Sequence, residues 1–461
     1  MSQNIHIIAF GKAAVPMILA AENELGSVIS TSIASIPYDA TIPKVANLKT
    51  IFINGAKNNL PDKGALEAGL RIENSIKNIP ETDIVLILIS GGGSALLTSP
   101  IPGITIEEKH DITKMVAATG ANIRQINIIR QALSTLKGGQ LAEKLYPRKV
   151  ISLILSDVVG DPIQYIASGP TYIDESVDGN RRIKRYEEAL NIFKKLNIFS
   201  GIPFHVLEAM KKYAYEKNNL ESKTTSKDGR VRNIIIGNNM KGLQILRNKL
   251  ISMSEKYYFD GVTILTDSLE RDVDNLAKNY GEIVKKFLEN EEIDLSPIDG
   301  RKNVFQMKKN QRKLAFLIGG EWVIKLNKND KNGIGGRNQN LVLTTLNYLI
   351  NHIHESRFIK KRDFKFVSLN TDGFDGPTTA AGAMINGKDL IYFLSQKSNS
   401  SNKENSIKSE DLTISDITKY IKNRDSFNFW SQYKNGRNHL ITGRTNTNFM
   451  DLTILILEKC N

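Results

Sequence analysis

The sequence predicts an α/β protein of two domains with mainly parallel sheets, and three observations predict it. Apolar runs of strand length, such as residues 6–10, 84–89 and 149–155, alternate with longer stretches of helical periodicity. The carboxyl ends of these runs carry glycine-rich turns with Lys, Arg or paired Asp, and ligands of open α/β sheets bind beyond that edge. A chain of 461 residues is also too long for one ordinary domain.

The composition, 41% hydrophobic and 24% charged, suits a globular protein able to bury a sizeable core. The net charge of +13 comes from basic residues scattered through Lys- and Asn-rich segments without interleaved aromatics or a groove-reading motif, which argues against nucleic acid. A single cysteine, Cys460, provides no internal disulfide or thiolate metal cluster and fits a reducing cytosol. No apolar run approaches the ~20 residues of a membrane span, and no targeting pattern precedes residue 6, so a cytoplasmic protein without membrane contact is expected.

Taken in order, residues 6–10 read as a buried strand, and Gly11-Lys12-Ala13-Ala14 turns it into a helix ended by Gly26. A lysine in a first helical turn opposes the helix dipole; an anion sharing the site would explain it, and a side chain snorkelling to solvent is the alternative. Pro61-Asp62-Lys63-Gly64 opens a second helix. Residues 84–97, IVLILISGGGSALL, then join an apolar strand to Gly91, Gly92, Gly93 and Ser94 and a helix start. Free backbone NH groups there, with the positive end of a helix dipole behind them, suit phosphate or carboxylate, although neither GxGxxG nor GxSxG is complete and a plain tight turn remains open.

Residues 111–141 are expected to be largely helical, with Arg130 and Lys137 late in the stretch. The strand at 149–155 runs into Ser156-Asp157-Val158-Val159-Gly160-Asp161, where two carboxylates four apart could meet a hard cation or could serve as cap and Asx turn. A helical region at 181–215 leads to a polar loop at 217–230, which sets the expected domains at 1–225 and 226–461. In the second half, strands near 233–236, 262–266, 314–318, 365–369 and 451–457 alternate with helices. Residues 291–312 and 396–409 read as surface loops. Arg337 follows Gly335-Gly336 at a helix start, where its guanidinium could clamp a carboxylate or phosphate, or merely form a surface ion pair. Asp372 and Asp375 follow the strand at 365–369. The six histidines, His352 and His354 among them, show no metal-ligand spacing.

The motif set as a whole resembles the glycerate 2-kinase family of the MOFRL type. It comprises Gly11-Lys12-Ala13-Ala14, Ser90-Gly91-Gly92-Gly93-Ser94, Leu136-Lys137-Gly138-Gly139, Ser156-Asp157 through Asp161, Ala167-Ser168-Gly169-Pro170, Gly335-Gly336-Arg337-Asn338-Gln339 and Thr371-Asp372-Gly373-Phe374-Asp375-Gly376, in collinear order from about residue 5 to 457. The resemblance implies a Rossmann-like first domain, an active site in an interdomain cleft, and transfer of the ATP γ-phosphate to the 2-hydroxyl of D-glycerate with Mg²⁺. It implies Lys12 and Arg337 as the catalytic pair. Departures occur where the family usually has Gly-His-Pro (here Lys57-Asn58-Asn59), His (Ala132), Gly-Glu (Arg271-Asp272), Gly (Asn370), Pro (Arg444) and Gly (Asn446).

On this reading Gly91, Gly92, Gly93, Ser94 and Lys137 hold phosphates, Arg130, Ser156 and Asn338 contact the substrate, and Asp157, Asp161, Asp372 and Asp375 supply metal ligands. Lys12 and Arg337, each opposing a dipole, should then tolerate neutralisation without loss of stability. A monomer or homodimer is expected. The alternatives are a kinase for another small hydroxy acid, a hydroxypyruvate-linked oxidoreductase, and a non-catalytic ligand-binding relative.

Overall fold

The computed structural model describes residues 4–45, 47–176, 180–216, 223, 229–253, 257–301, 303–326, 332–353, 361–399 and 412–460. His354, most of the loop expected at 217–230 and most of that at 396–409 lie outside the described residues. The chain forms two compact units, Met1–Gly237 with Asn446–Asn448, and Asn238–Thr445 with Phe449–Asn461.

In the first unit the elements run β1 (Ile5–Phe10), α1 (Ala14–Leu25), β2 (Ile29–Pro37), β3 (Thr50–Gly55), α2 (Lys63–Lys77), β4 (Ile84–Ile89), α3 (Gly93–Leu96), α4 (Ile106–Ala118), α5 (Ile123–Ala132), α6 (Gln140–Leu145), β5 (Lys149–Leu155), α7 (Arg181–Lys195), α8 (Phe204–Tyr215) and β6 (Val231–Gly237). The sheet order is β3-β2-β1-β4-β5-β6 with every pairing parallel. Strands covered on both faces need near-continuous apolar runs, which β4 provides throughout and β1 provides after His6. One face packs Phe10, Ile87, Ile89 and Leu141, the other Ile7, Ala9, Val15 and Ile18. A separate core of Ile112, Val116, Ile129, Phe193, Val206 and Met210 joins α4, α5, α7 and α8.

Local chemistry sets the helix limits. Asp62 caps α2 by accepting from Ala65 N at 2.9 Å, and capping boxes open α4 (Thr105 with Glu108) and α5 (Asn122 with Gln125). Residues 111–141 therefore break into three helices, with Gly120 and the Gly138-Gly139 pair in left-handed conformations at the interruptions. Strand β6 pairs with β5, which carries the first unit to Gly237 and past the boundary expected at 225.

The second unit contains α9 (Asn239–Ser252), β7 (Gly261–Leu269), α10 (Val273–Glu289), β8 (Ile293–Asp294), α11 (Ser296–Asp299), β9 (Val304–Phe305), β10 (Lys313–Gly320), α12 (Arg337–His352), β11 (Arg362–Asn370), β12 (Gly382–Asn386), α13 (Gly387–Asn399), α14 (Ile414–Lys422), α15 (Ser426–Gln432), β13 (His439–Leu440) and β14 (Asp451–Lys459). Its main sheet, β13-β12-β11-β14-β10-β7, is mixed: only β10 with β7 is parallel. The expectation of parallel pairing thus holds for the first sheet and not for most of the second, because an apolar run fixes burial but not direction. Tyr280, Phe287, Trp322, Leu346, Phe364, Phe366 and Trp430 fill the larger core, and Ile293, Leu295 and Ile298 join it, so residues 291–312 are not simply a surface loop. Among the described residues no helix is long and apolar enough to cross a membrane.

Candidate functional site

In the first unit β1 and β4 are adjacent, and the connections leaving them diverge to opposite sides of the sheet order. Their carboxyl ends form the kind of crevice where open α/β sheets bind ligands. Gly11, at φ 125°, brings the end of β1 against Ser90, which a Cβ would strike. Lys12 N donates to Gly91 O at 2.8 Å and Ala13 N to Ser90 Oγ at 3.0 Å, so the lysine loop is tied to the triple glycine. Gly92 sits at φ 80°, and a Cβ built there would stand 3.1 Å from Lys12 Cγ and 3.3 Å from Lys12 Cε. The lysine side chain therefore lies along Gly92.

A Cβ on Gly91 would collide with the Asp157 carboxylate and the Asn448 amide, and Asn448 Nδ2 donates to Asp157 Oδ2 at 3.2 Å. Ser94 Oγ lies 2.8 Å from Ser168 Oγ, which donates to Asn127 Oδ1 at 2.8 Å. Lys12, Gly91, Gly92 and Asp157 thus converge at one strand edge, as expected. Asn448 is an addition that a lone asparagine far along the chain could not announce.

Two expectations are corrected here. Lys12 precedes the Ala13 N-cap and is not in the first turn of α1. Helix α3 is a single four-residue turn, Gly93–Leu96, too short to contribute the dipole expected behind the glycines. An anion held at this loop would therefore rely on the loop's own amides and on Lys12.

The other first-unit residues are placed as follows. Ser156 is buried, its Oγ bonding Val158 O at 3.3 Å and accepting from Val158 N at 3.4 Å, a local turn. Asp161 has φ 56°, a left-handed conformation that Asp tolerates. Lys137 is 1% exposed, with Nζ donating to Leu97 O. Arg130 lies half-buried on α5.

In the second unit Arg337 is the first residue of α12, and it is ion-paired within its own unit. Its Nε lies 2.5 Å from Asp451 Oδ2 and its Nη1 3.0 Å from Glu321 Oε1. Burial disfavours the guanidinium charge, but the Asp451 and Glu321 carboxylates outweigh it and raise the Arg337 pKa. Burial pushes the fully enclosed Asp451 carboxyl up to about 7, with Arg337 and the Asn338 amide opposing that rise. Arg337 thus stands at a helix start as expected, but the ion pair left open for it is present, so the expectation that neutralising it costs no stability does not hold.

Asp375, expected as a metal ligand, instead caps α12: its oxygens accept from Asn338 N at 3.1 Å, Asn338 Nδ2 at 3.2 Å, Gln339 N at 2.8 Å and Gln339 Nε2 at 3.0 Å. Asn338, expected at the substrate, has its amide fully engaged with Trp322 Nε1, Ser368 Oγ, Asp375 and Asp451. A Cβ on Gly336 would strike Asp375, and one on Gly335 would strike Ser426, so these glycines serve the chain's own packing. Asp372 is nearly buried and accepts from Phe374 N at 2.9 Å. Among the described residues, no three His, Cys, Asp or Glu side chains group closely enough to hold a metal by themselves.

Comparison with known proteins places these motifs. Residues 1–211 match a domain of unknown function, DUF4147, and residues 314–451 match the MOFRL family. Mouse glycerate kinase is 33% identical over 491 aligned residues, covering 99% of this chain and 85% of its own length. The D-glycerate 2-kinase of Thermotoga maritima is 30% identical over 451 residues, covering 97% of this chain and 89% of its own. The crystal structure of glycerate kinase from Thermotoga maritima superposes with a TM-score of 0.71 at 29% identity, covering 100% of this chain and 92% of that one.

Proposed function

This chain belongs to the glycerate kinase family, and from that premise we propose that it transfers the γ-phosphate of ATP to the 2-hydroxyl of D-glycerate, giving 2-phosphoglycerate and ADP. The observation that carries the reading is the Lys12 side chain lying along Gly92, with Asp157 against Gly91. Phosphoryl transfer asks little covalent chemistry of a protein and much positioning and charge stabilisation. The spaces left by Gly91 and Gly93 are taken by Asp157 and Asn448 and by Ala167 and Phe10, so Gly92, beside Lys12, is the glycine at which the backbone would admit phosphate oxygens, and Lys12 neutralises charge on the transferring group.

Mg²⁺ bound through one or two carboxylates and the nucleotide phosphates would neutralise further charge. Asp157 fits that task because it stands beside the glycine loop, with Asp161 four residues on; Asp375 does not, because four donors already occupy its oxygens. Arg337, held by Asp451 and Glu321, would present its remaining NH donors to a carboxylate or phosphate. The buried Asp451 orients it.

ADP release measured with D-glycerate, a panel of other small hydroxy acids, and hydroxypyruvate with NADH tests the proposal. D-glycerate is expected to give the highest kcat/KM, and NADH no turnover. Preference for another hydroxy acid, NADH oxidation, or ATP binding without ADP release would each replace it.

A further inference from the structure

Two buried lysines and the half-buried Arg130 lie together in the first unit with no carboxylate among them. Lys109, on α4, is 4% exposed, and among the described residues its Nζ has no hydrogen-bond partner. Lys137, after α5, is 1% exposed and has its Nζ on the Leu97 carbonyl. Arg130 lies in the last turn of α5, which packs on α4 through Ile112, Val116, Ile129 and Leu133. The three are close enough to repel: Arg130 disfavours the Lys109 charge, and Lys109 and Arg130 both disfavour that of Lys137, after burial itself. Among the described residues, no acidic group offsets any of them.

Burying one unpaired ammonium is costly, and gathering three cations without a counter-ion is costlier still. Such an arrangement is stable when an anion completes it. The cluster also adjoins the glycine loop. Leu97, whose carbonyl takes Lys137, closes the turn that begins at Gly93. The hydroxyl chain from Ser94 through Ser168 ends on Asn127, one helical turn before Arg130.

We propose that Lys109, Arg130 and Lys137 form a buried pocket for a phosphate group, either free phosphate or the phosphoryl of a bound nucleotide or ester. A dianion with several oxygens matches three cations; a single carboxylate or chloride leaves charge uncompensated. Lys109 is the member that motif reading does not single out. The pocket stands whether or not glycerate is the acceptor, since phosphate binding is read without turnover.

The test is calorimetry and thermal unfolding of the full chain with inorganic phosphate and sulfate as probes, against acetate and chloride at matched ionic strength. Phosphate and sulfate should bind saturably and raise Tm by several degrees, while acetate and chloride do neither. Lys109→Met should bind phosphate at least tenfold more weakly without a lower Tm in phosphate-free buffer, and Lys109→Arg should retain binding. Should Lys109→Met not fold, Arg130→Gln reads the same loss. Competition between phosphate and a non-hydrolysable ATP analogue assigns the pocket to the phosphoryl of a bound nucleotide, and simultaneous binding assigns it to free phosphate. No saturable phosphate effect on wild type, equal response to acetate, or wild-type phosphate affinity in Lys109→Met or Arg130→Gln overturns the proposal.

Discussion

The Lys12 side chain runs over Gly92, whose missing Cβ would otherwise stand 3.1 Å from Lys12 Cγ. The glycine therefore does two things. It supplies a backbone at φ 80°, and it leaves room for the lysine beside the amides proposed to hold a phosphate.

Gly92→Val should lose both. A branched residue in the left-handed region costs on the order of 1–3 kcal/mol, and the new Cβ displaces Lys12. Calorimetry is expected to show ATP affinity lowered at least tenfold, with glycerate affinity changed far less. Unchanged ATP affinity in the folded variant would remove the triple glycine from the nucleotide site.

Lys12→Met separates chemistry from scaffold. The side chain is not part of the core, so Tm should change little, while ADP release should fall on the order of 10³-fold. Activity within a fewfold of wild type would make Lys12 part of the turn and nothing more.

Arg337→Met carries a different signature, because Asp451 is 0% exposed and loses its cation. Breaking a buried pair on one side costs about 3–5 kcal/mol. Urea unfolding should show that loss, and adding Asp451→Asn should recover only part of it, because one of the donors Asn338 Nδ2 and Trp322 N then lacks an acceptor, without restoring ADP release. Stability unaffected by Arg337→Met would mean that the pair contributes nothing to the fold.

Burial, with Arg130 adding to it, lowers the Lys109 pKa to about 7 from an ordinary value near 10.5. Between those values the unfolded chain binds a proton that the folded chain does not, so stability rises with pH; Lys137 acts in the same direction. In phosphate-free buffer the wild type should gain more stability from pH 7 to 9 than Lys109→Met, by on the order of 2 kcal/mol. Parallel pH profiles for the two proteins would show that Lys109 does not titrate there.

The first sheet was largely legible in the sequence, because a parallel strand covered on both faces is a nearly continuous apolar run, which β4 is throughout and β1 and β5 are apart from His6, Lys149 and Ser152. Strand direction in the second sheet was not, since β14 alternates buried and half-buried residues whichever way its neighbours run. The convergence of Lys12, the triple glycine and Asp157 could be inferred from their strand-end positions. The fate of Arg337, Asn338 and Asp375 could not: their partners Asp451, Trp322 and Ser368 arrive from other strands and loops, and only the folded unit shows that a motif-borne asparagine and aspartate are spent on internal hydrogen bonds. The departures also acquire a physical meaning. Asn59, where the family usually has proline, sits at φ 59°, which a proline ring forbids, so the backbone itself differs there. Asn446, in place of a glycine, keeps a left-handed φ of 58° that asparagine tolerates.

The central claim is phosphorylation of the glycerate 2-hydroxyl, and phosphorus NMR of the product formed from ATP and D-glycerate measures it directly. The expected result is a phosphate resonance coupled to the single proton on C2, appearing in step with ADP and lost in Lys12→Met. A resonance coupled to the C3 methylene protons, or ADP accompanied by inorganic phosphate alone, would contradict it.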